Sequence, residues 1–165
     1  MIQKEKLGAV FDCNVFFQAT RNATGPAAKA FRLLEAGAFS LFLSSAILEE
    51  IRETFTDPDI RAKNRWLTNE VVDALFKHLE SSATLIQDVP EQFSYERDPD
   101  DAKYVNLALA AGAKYLVTRD KDLLDLMSDE AFRKQYPHLT ILDPVAFLQQ
   151  LPREDKPEPP AGKKE

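Results

Sequence analysis

The chain has 165 residues, 44% of them hydrophobic and 29% charged, enough for one domain with its own core in the composition range of soluble globular proteins. One cysteine, Cys13, excludes an internal disulfide framework and fits a reducing cytoplasm; no stretch reaches the ~18–20 apolar residues of a membrane span. The formal charge of −6 is the wrong sign for a sequence-independent nucleic-acid binder, so either nucleic acid is not the partner or carboxylates gather where cations neutralise them.

Met1–Lys6 is polar and does not read as a signal peptide. Leu7–Asp12 reads as a first strand, apolar throughout, as a strand covered on both faces should be. A loop through Thr24, Gly25 and Pro26 follows, and Pro26 opens a helix that runs to Glu35 or Ala36 and stops at Gly37. Ser40–Ser44 is a second strand. Helices are expected at Ala46–Phe55, Pro58–Trp66 and Asn69–Ser81, with Asp57 and Thr68 as caps of the last two. Ala83–Gln87 reads as a strand and Pro90–Arg97 as an irregular connection. Pro99–Ala111 is helical, Gly112 ends it, and Tyr115–Thr118 is the next strand, repeating the turn chemistry of LLEAGAFSLFLS in LALAAGAKYLVT. Asp120–Met127 and Glu130–Lys134 read as helical, Thr140–Leu142 as a short strand, and Asp143-Pro144 as the start of a last helix to Leu151. Pro152–Glu165, with four basic and four acidic residues and several prolines, reads as a disordered tail, so the charge excess belongs to residues 1–151. Alternating strands and helices predict a three-layer α/β/α domain with a mostly parallel sheet of four or five strands and an inserted helical segment; sites in such sheets lie beyond the carboxyl ends of the strands.

Two acids fall there. Asp12 closes the first strand and Asp120 follows Tyr115–Thr118, so both should reach the same edge of the sheet; the plain alternative for either is a cap on the next helix. Asp101 has two readings. With Asp98 and Pro99 it can form a capping box, but at 100° per residue it also shares the sheet-facing stripe of Val105, Ala108 and Gly112, where an unpaired carboxylate is costly. In SSAILEEIRE, Ile47, Leu48, Ile51 and Phe55 define a buried face. Glu50 lies nearer its edge than Glu49, and the helical wheel alone does not separate them.

In order, FDCNVFFQA, SSAILEEI, DPDDAKYVNLALAAGAKYLVTRDKDLL and ILDPVAFL resemble the PIN-domain ribonucleases, in particular the branch of VapC-like toxins of toxin–antitoxin pairs. The resemblance covers Leu7 to Leu148. It implies catalytic, metal-holding acids at Asp12, Glu50, Asp101 and Asp120, which breaks the tie with Glu49. Asn14 and Thr118 take the family's polar supporting positions, and Asp122 stands where a further acid often occurs. Cys13 departs from the family's Thr or Ser, and a thiol is a poorer donor than a hydroxyl. The resemblance further implies Mg²⁺ or Mn²⁺, which suit hard carboxylate oxygens, an RNA substrate, a cognate antitoxin and a homodimer. Metal at the acids would reconcile an acidic chain with RNA, and Arg119, Lys121 and Lys103, or Arg61, Lys63 and Arg65, are candidate backbone contacts; each also reads as an ordinary solvated cation.

His78 and His138 lie in no motif and read as surface or packing residues, against a histidine-based hydrolase. Ser44 and Ser45 read as a helix start, and neither a nucleophile elbow nor a phosphate-binding glycine motif is present. Trp66 and the phenylalanines read as core or interface. Two rival functions remain: a haloacid-dehalogenase-like phosphatase using Asp12 as nucleophile, although Asn14 stands where its second Asp would be, and a non-catalytic PIN-fold binding module.

Overall fold

A computed structural model of the protein describes residues 7–151. The segment read as a disordered tail, 152–165, lies outside the described residues, as does Met1–Lys6. The strands are β1 (Leu7–Phe11), β2 (Phe39–Leu43), β3 (Ala83–Leu85), β4 (Tyr115–Val117) and β5 (Thr140–Leu142). They form one sheet in the order β3-β2-β1-β4-β5, and all four pairings are parallel. The two longest strands sit near the middle, and β1 is paired on both sides, to β2 through Ala9↔Leu41 and to β4 through Ala9↔Tyr115. All strands therefore end on one edge.

The helices are α1 (Cys13–Arg21), α2 (Pro26–Glu35), α3 (Ser45–Thr56), α4 (Pro58–Lys63), α5 (Asn69–Ser82), α6 (Ala102–Ala111), α7 (Lys121–Leu124), α8 (Glu130–Gln135) and α9 (Pro144–Gln150). Short 3₁₀ turns at Pro99–Asp101 and Asp125–Ser128 precede α6 and follow α7. Among the described residues, no helix is long and apolar enough to cross a membrane.

The structure adds one helix that the sequence reading lacked. The sequence reading placed only a loop between the first strand and Pro26, and CNVFFQATR, with two phenylalanines, a valine and a threonine, has modest helix propensity. Tertiary burial outweighs that preference: Val15 and Phe16 are fully buried, and Phe16 packs tilted against Phe11 and Phe31 at 5.7 and 5.8 Å between ring centroids. Asp12 accepts from the Val15 N–H and starts the helix. Gly37 and Gly112 both adopt left-handed backbone, with φ of 82° and 65°, and so end α2 and begin the turn into β4 as the repeated pattern implied.

α6 is the most buried of the helices in sequence terms: Tyr104 to Ala108 form a continuous buried run. It packs against β1, β2 and β4. Its Asn106 is 4% exposed and acts as a clamp on the irregular connection, accepting from the Gln92 and Phe93 N–H groups at 3.0 and 2.7 Å and donating to the Phe93 carbonyl at 3.0 Å. That connection leads into Asp98. On the opposite face, Phe39 and Phe147 meet edge to face at 5.0 Å, fixing α9 over the sheet centre.

Candidate active site

The carboxyl edge of the sheet collects the acids. Asp12 follows β1 directly and is 3% exposed. Its two oxygens are used separately: Oδ1 caps α1 through the Val15 N–H at 3.1 Å, and Oδ2 accepts from the Thr118 hydroxyl. Thr118, fully buried at the end of β4, passes the connection on, because its Oγ1 accepts from the Asp120 N–H at 2.9 Å. Asp120 in turn caps α7, its Oδ1 accepting from the Asp122 N–H at 2.8 Å. The capping reading of both acids and their meeting at one edge thus coexist: a cap occupies one oxygen of each carboxylate.

Asp101 does not take part in a capping box. Asp98 makes no side-chain cap at the 3₁₀ turn, and Asp101 Oδ2 is buried with no hydrogen-bond partner. Instead, Asp98, Asp101 and Asp120 each present a carboxylate oxygen, and these oxygens all lie within 4.8 Å of one another. Glu50 is half-buried on the site-facing side of α3, whereas Glu49 is exposed. Glu50 Oε1 accepts from the Tyr104 hydroxyl, and Oε2 lies 3.3 Å from Lys103 Nζ.

The electrostatics follow from this crowding. Burial first, and then the carboxylates of Asp120 and Asp98 crowded beside it, push the Asp101 carboxyl up to about 8. Burial pushes Asp12 up to about 6, against the opposing hydrogen bonds from Thr118 and Val15, with the charges of Asp120 and Glu50 adding to the rise. Asp12 therefore shares its field with both neighbours. Carboxylates arranged this way resist ionising together, and a divalent cation among them removes the conflict.

The matching family is the one described as the PIN domain, over residues 8–122. The chain belongs to the PIN-domain family. This PIN domain is also 31% identical over 153 residues to the uncharacterized protein MJ1680 of Methanocaldococcus jannaschii, a match covering 91% of this chain and 95% of the other. In three dimensions it resembles a chain of Rickettsia felis VapBC2, solved bound to a DNA fragment from their promoter. The TM-score is 0.53 at 16% identity, covering 83% of this chain and 98% of that one, a likeness of fold.

The remaining sequence candidates divide. Asn14 is exposed at the start of α1, and Asp12 takes its hydrogen bonds from Thr118, the other expected supporting residue, and from the Val15 N–H. Asp122 turns its carboxylate to Arg97 at 2.6 Å, and Arg97 also reaches Asp125 at 2.9 Å. Lys103 is held by Glu50, whereas Arg119 and Lys121 are exposed beside Asp120. Arg61 serves the fold, donating to the Phe55 carbonyl and to Asn69. His78 packs edge-on against Phe31 at 4.8 Å. The Cys13 thiol makes no hydrogen bond to Asp12 among the described residues, and burial pushes it up to about 11. Two residues that the structure brings against these acids were not among the sequence candidates. Asp98 looked like a helix cap, and only the clamped connection before it turns it inward. Tyr104 sits three positions after Asp101 on α6, a spacing that puts both on one side of the helix and was available as a signal.

Proposed function

We propose that this PIN domain, comprising residues 1–151, is a metal-dependent endoribonuclease that hydrolyses RNA phosphodiesters as the toxin of a toxin–antitoxin pair. The observation that carries the reading is the cluster of Asp98, Asp101 and Asp120 oxygens within 4.8 Å, with Asp101 Oδ2 buried and without a hydrogen-bond partner. A bare buried acceptor on a member of an all-oxygen donor set suits a hard cation, Mg²⁺ or Mn²⁺, better than any softer metal. Asp101, Asp120 and Asp98 would hold the ion, with Asp12 and Glu50 completing the acidic ring. When bound, the ion supplies Lewis-acid polarisation of the phosphate and makes water a better nucleophile near neutral pH.

The chain's own residues set the geometry around that chemistry. Thr118 holds Asp12 and the Asp120 backbone in fixed relation through a single hydroxyl. Tyr104 and Lys103 hold the two oxygens of Glu50. Arg119 and Lys121, exposed next to Asp120, would meet the phosphates flanking the scissile bond. A cleft of about 710 Å³ is walled by Phe93, Tyr95, Asn106 and Lys103, the lysine that pairs with Glu50, and single-stranded RNA would lie there. The fold shared with a VapBC2 chain supports a cognate antitoxin, which would bring a cationic side chain to this acidic edge.

The test is cleavage of single-stranded RNA by purified protein with Mg²⁺, Mn²⁺ or EDTA. Asp101→Asn should lower the rate by about 10²–10³-fold with the fold intact by circular dichroism. Cleavage that persists in EDTA, or equally in Asp101→Asn, would refute the metal-nuclease reading. An aspartyl-phosphate trapped at Asp12 would replace it with the phosphatase.

A further inference from the structure

We infer that Tyr104 is the positioning residue for Glu50, using the start of α1 as its fixed point. The inference rests on the metal-nuclease reading of the acidic site and adds to it a residue outside the carboxylate set. Tyr104 is 3% exposed on α6, and its hydroxyl makes two contacts. It accepts from the Cys13 backbone N–H at 3.1 Å, and it donates to Glu50 Oε1.

The direction of this chain is forced. A backbone N–H only donates, so the phenol oxygen is the acceptor at Cys13, and its single hydrogen is left for the carboxylate. Cys13 is the first residue of α1, immediately after Asp12, and its N–H is one of the groups a helix start leaves without an internal partner. The phenol thus satisfies an orphan donor next to one acid while orienting another, contributed by a different helix. Three separated segments meet at one oxygen atom.

Glu50 is then held unequally. Oε1 is bound to a buried neutral group that cannot move without leaving the Cys13 N–H unpaired, while Oε2 faces Lys103, a half-buried flexible cation at 3.3 Å. Lys103, on a four-carbon stem with water to turn to, would be free to leave Oε2 if a divalent ion were held at this edge. The phenol stays. Oε2 would then be the oxygen left for the ion, with Tyr104 setting where it points. A hydrogen-bonded partner behind a metal-holding carboxylate typically contributes 10–100-fold in metal affinity.

The experiment is Mn²⁺ binding to the full chain without RNA, by calorimetry, in wild type, Tyr104→Phe, Glu50→Gln and the double variant. Tyr115→Phe is the comparator, since Tyr115 is equally buried and donates only to Gln150, away from the acids. Tyr104→Phe should weaken Mn²⁺ by about 10-fold or more, and the double variant should be no weaker than Glu50→Gln, the signature of one residue acting through the other. Tyr115→Phe should bind as wild type. Unchanged affinity in Tyr104→Phe, or losses that simply add, would overturn the positioning role while leaving the metal reading in place. Full Mn²⁺ affinity in both Glu50→Gln and Asp101→Asn would overturn both. A second measurement needs no Tyr104 variant. With tyrosine labelled at Cζ, one of the four tyrosine signals should shift as Mg²⁺ is added and should stay fixed in Glu50→Gln. Four unmoved signals in Mg²⁺-saturated wild type would also sink the inference.

Discussion

Phe11 and Asp12 are neighbours on the chain and almost equally buried, at 1% and 3% exposure, yet burial acts on them with opposite sign. Phe11 lies among Phe16, Phe39 and Phe147, with ring centroids 5.7 to 5.8 Å away, and taking its ring out of water favours the fold by a few kcal/mol. Asp12 enters the same dry interior with a carboxylate, and its pKa climbs to about 6 because the charged form has lost its water. The sheet interior stabilises the domain, and the rim one residue further spends part of that stability to hold charge in place. Burial by itself therefore does not separate a core position from a chemical one; the pairing of each polar atom does.

Substituting each neighbour sharpens the contrast. Phe11→Ala should cost about 3–5 kcal/mol at every pH, with or without metal, as read by urea unfolding. Asp12→Asn should do the reverse in EDTA. The folded pKa of Asp12 is raised, so its contribution is fully present below the unfolded value of 3.8 and is lost as pH rises through about 6. At pH 7.5 the charged group is a burden, and removing it should stabilise the metal-free protein by about 1–3 kcal/mol, an advantage that vanishes near pH 4. Added Mn²⁺ should stabilise wild type and fail to stabilise Asp12→Asn to the same extent. A destabilised Asp12→Asn in EDTA at pH 7.5 would mean that the carboxylate helps the fold and that the rim is not strained.

Much of this contrast was legible in the chain itself. The apolar run ending at Asp12, the paired helix-to-strand turns at Gly37 and Gly112, and the acid after Val117 all follow local rules, and the structure keeps each of them. Helix α1 was not legible, since its aromatic and β-branched residues argue against a helix until tertiary packing against Phe11 and Phe31 is known. Asp98 was hidden for a related reason. Its inward turn depends on Asn106, Tyr95 and Arg97 fastening the connection before it, through contacts that span 13 to 28 residues of chain. Periodicity reports the face of a helix and says nothing about where an irregular segment is tied down.

Asn106 lets that tie be cut from the core side. Asn106→Ala leaves the Gln92 and Phe93 N–H groups and the Phe93 carbonyl without their partner, which should cost about 1–3 kcal/mol. Hydrogen exchange should speed up across residues 88–98 and stay slow in β1 and β4. Metal affinity should drop with it, because Asp98 would no longer be held against Asp101 and Asp120. Faster exchange with unchanged affinity would remove Asp98 from the ion's surroundings while leaving the other acids in place.

The smallest expected effect lies at Gly112, on the far end of α6, the helix that carries Tyr104 and begins directly after Asp101. Its backbone is left-handed, with φ of 65° and ψ of 29°, and a Cβ placed there would meet nothing within 4 Å. Sterics with neighbours are therefore absent, and only two terms act. An L-residue in this conformation costs about 1–2 kcal/mol, and replacing glycine returns about 0.4–1 kcal/mol by restricting the unfolded chain. Gly112→Ala should lose roughly 1 kcal/mol, or about 2–4 °C in Tm for a domain of this size, and Gly112→Asn, which tolerates the left-handed region better, should lose less. Because the turn lies at the amino-terminal end of β4, away from the acids at the strand's other end, Mn²⁺ affinity should not change in either variant. A fall in affinity with so small a loss of stability would show that α6 is not rigid along its length, and that the rim feels strain from the opposite edge of the sheet.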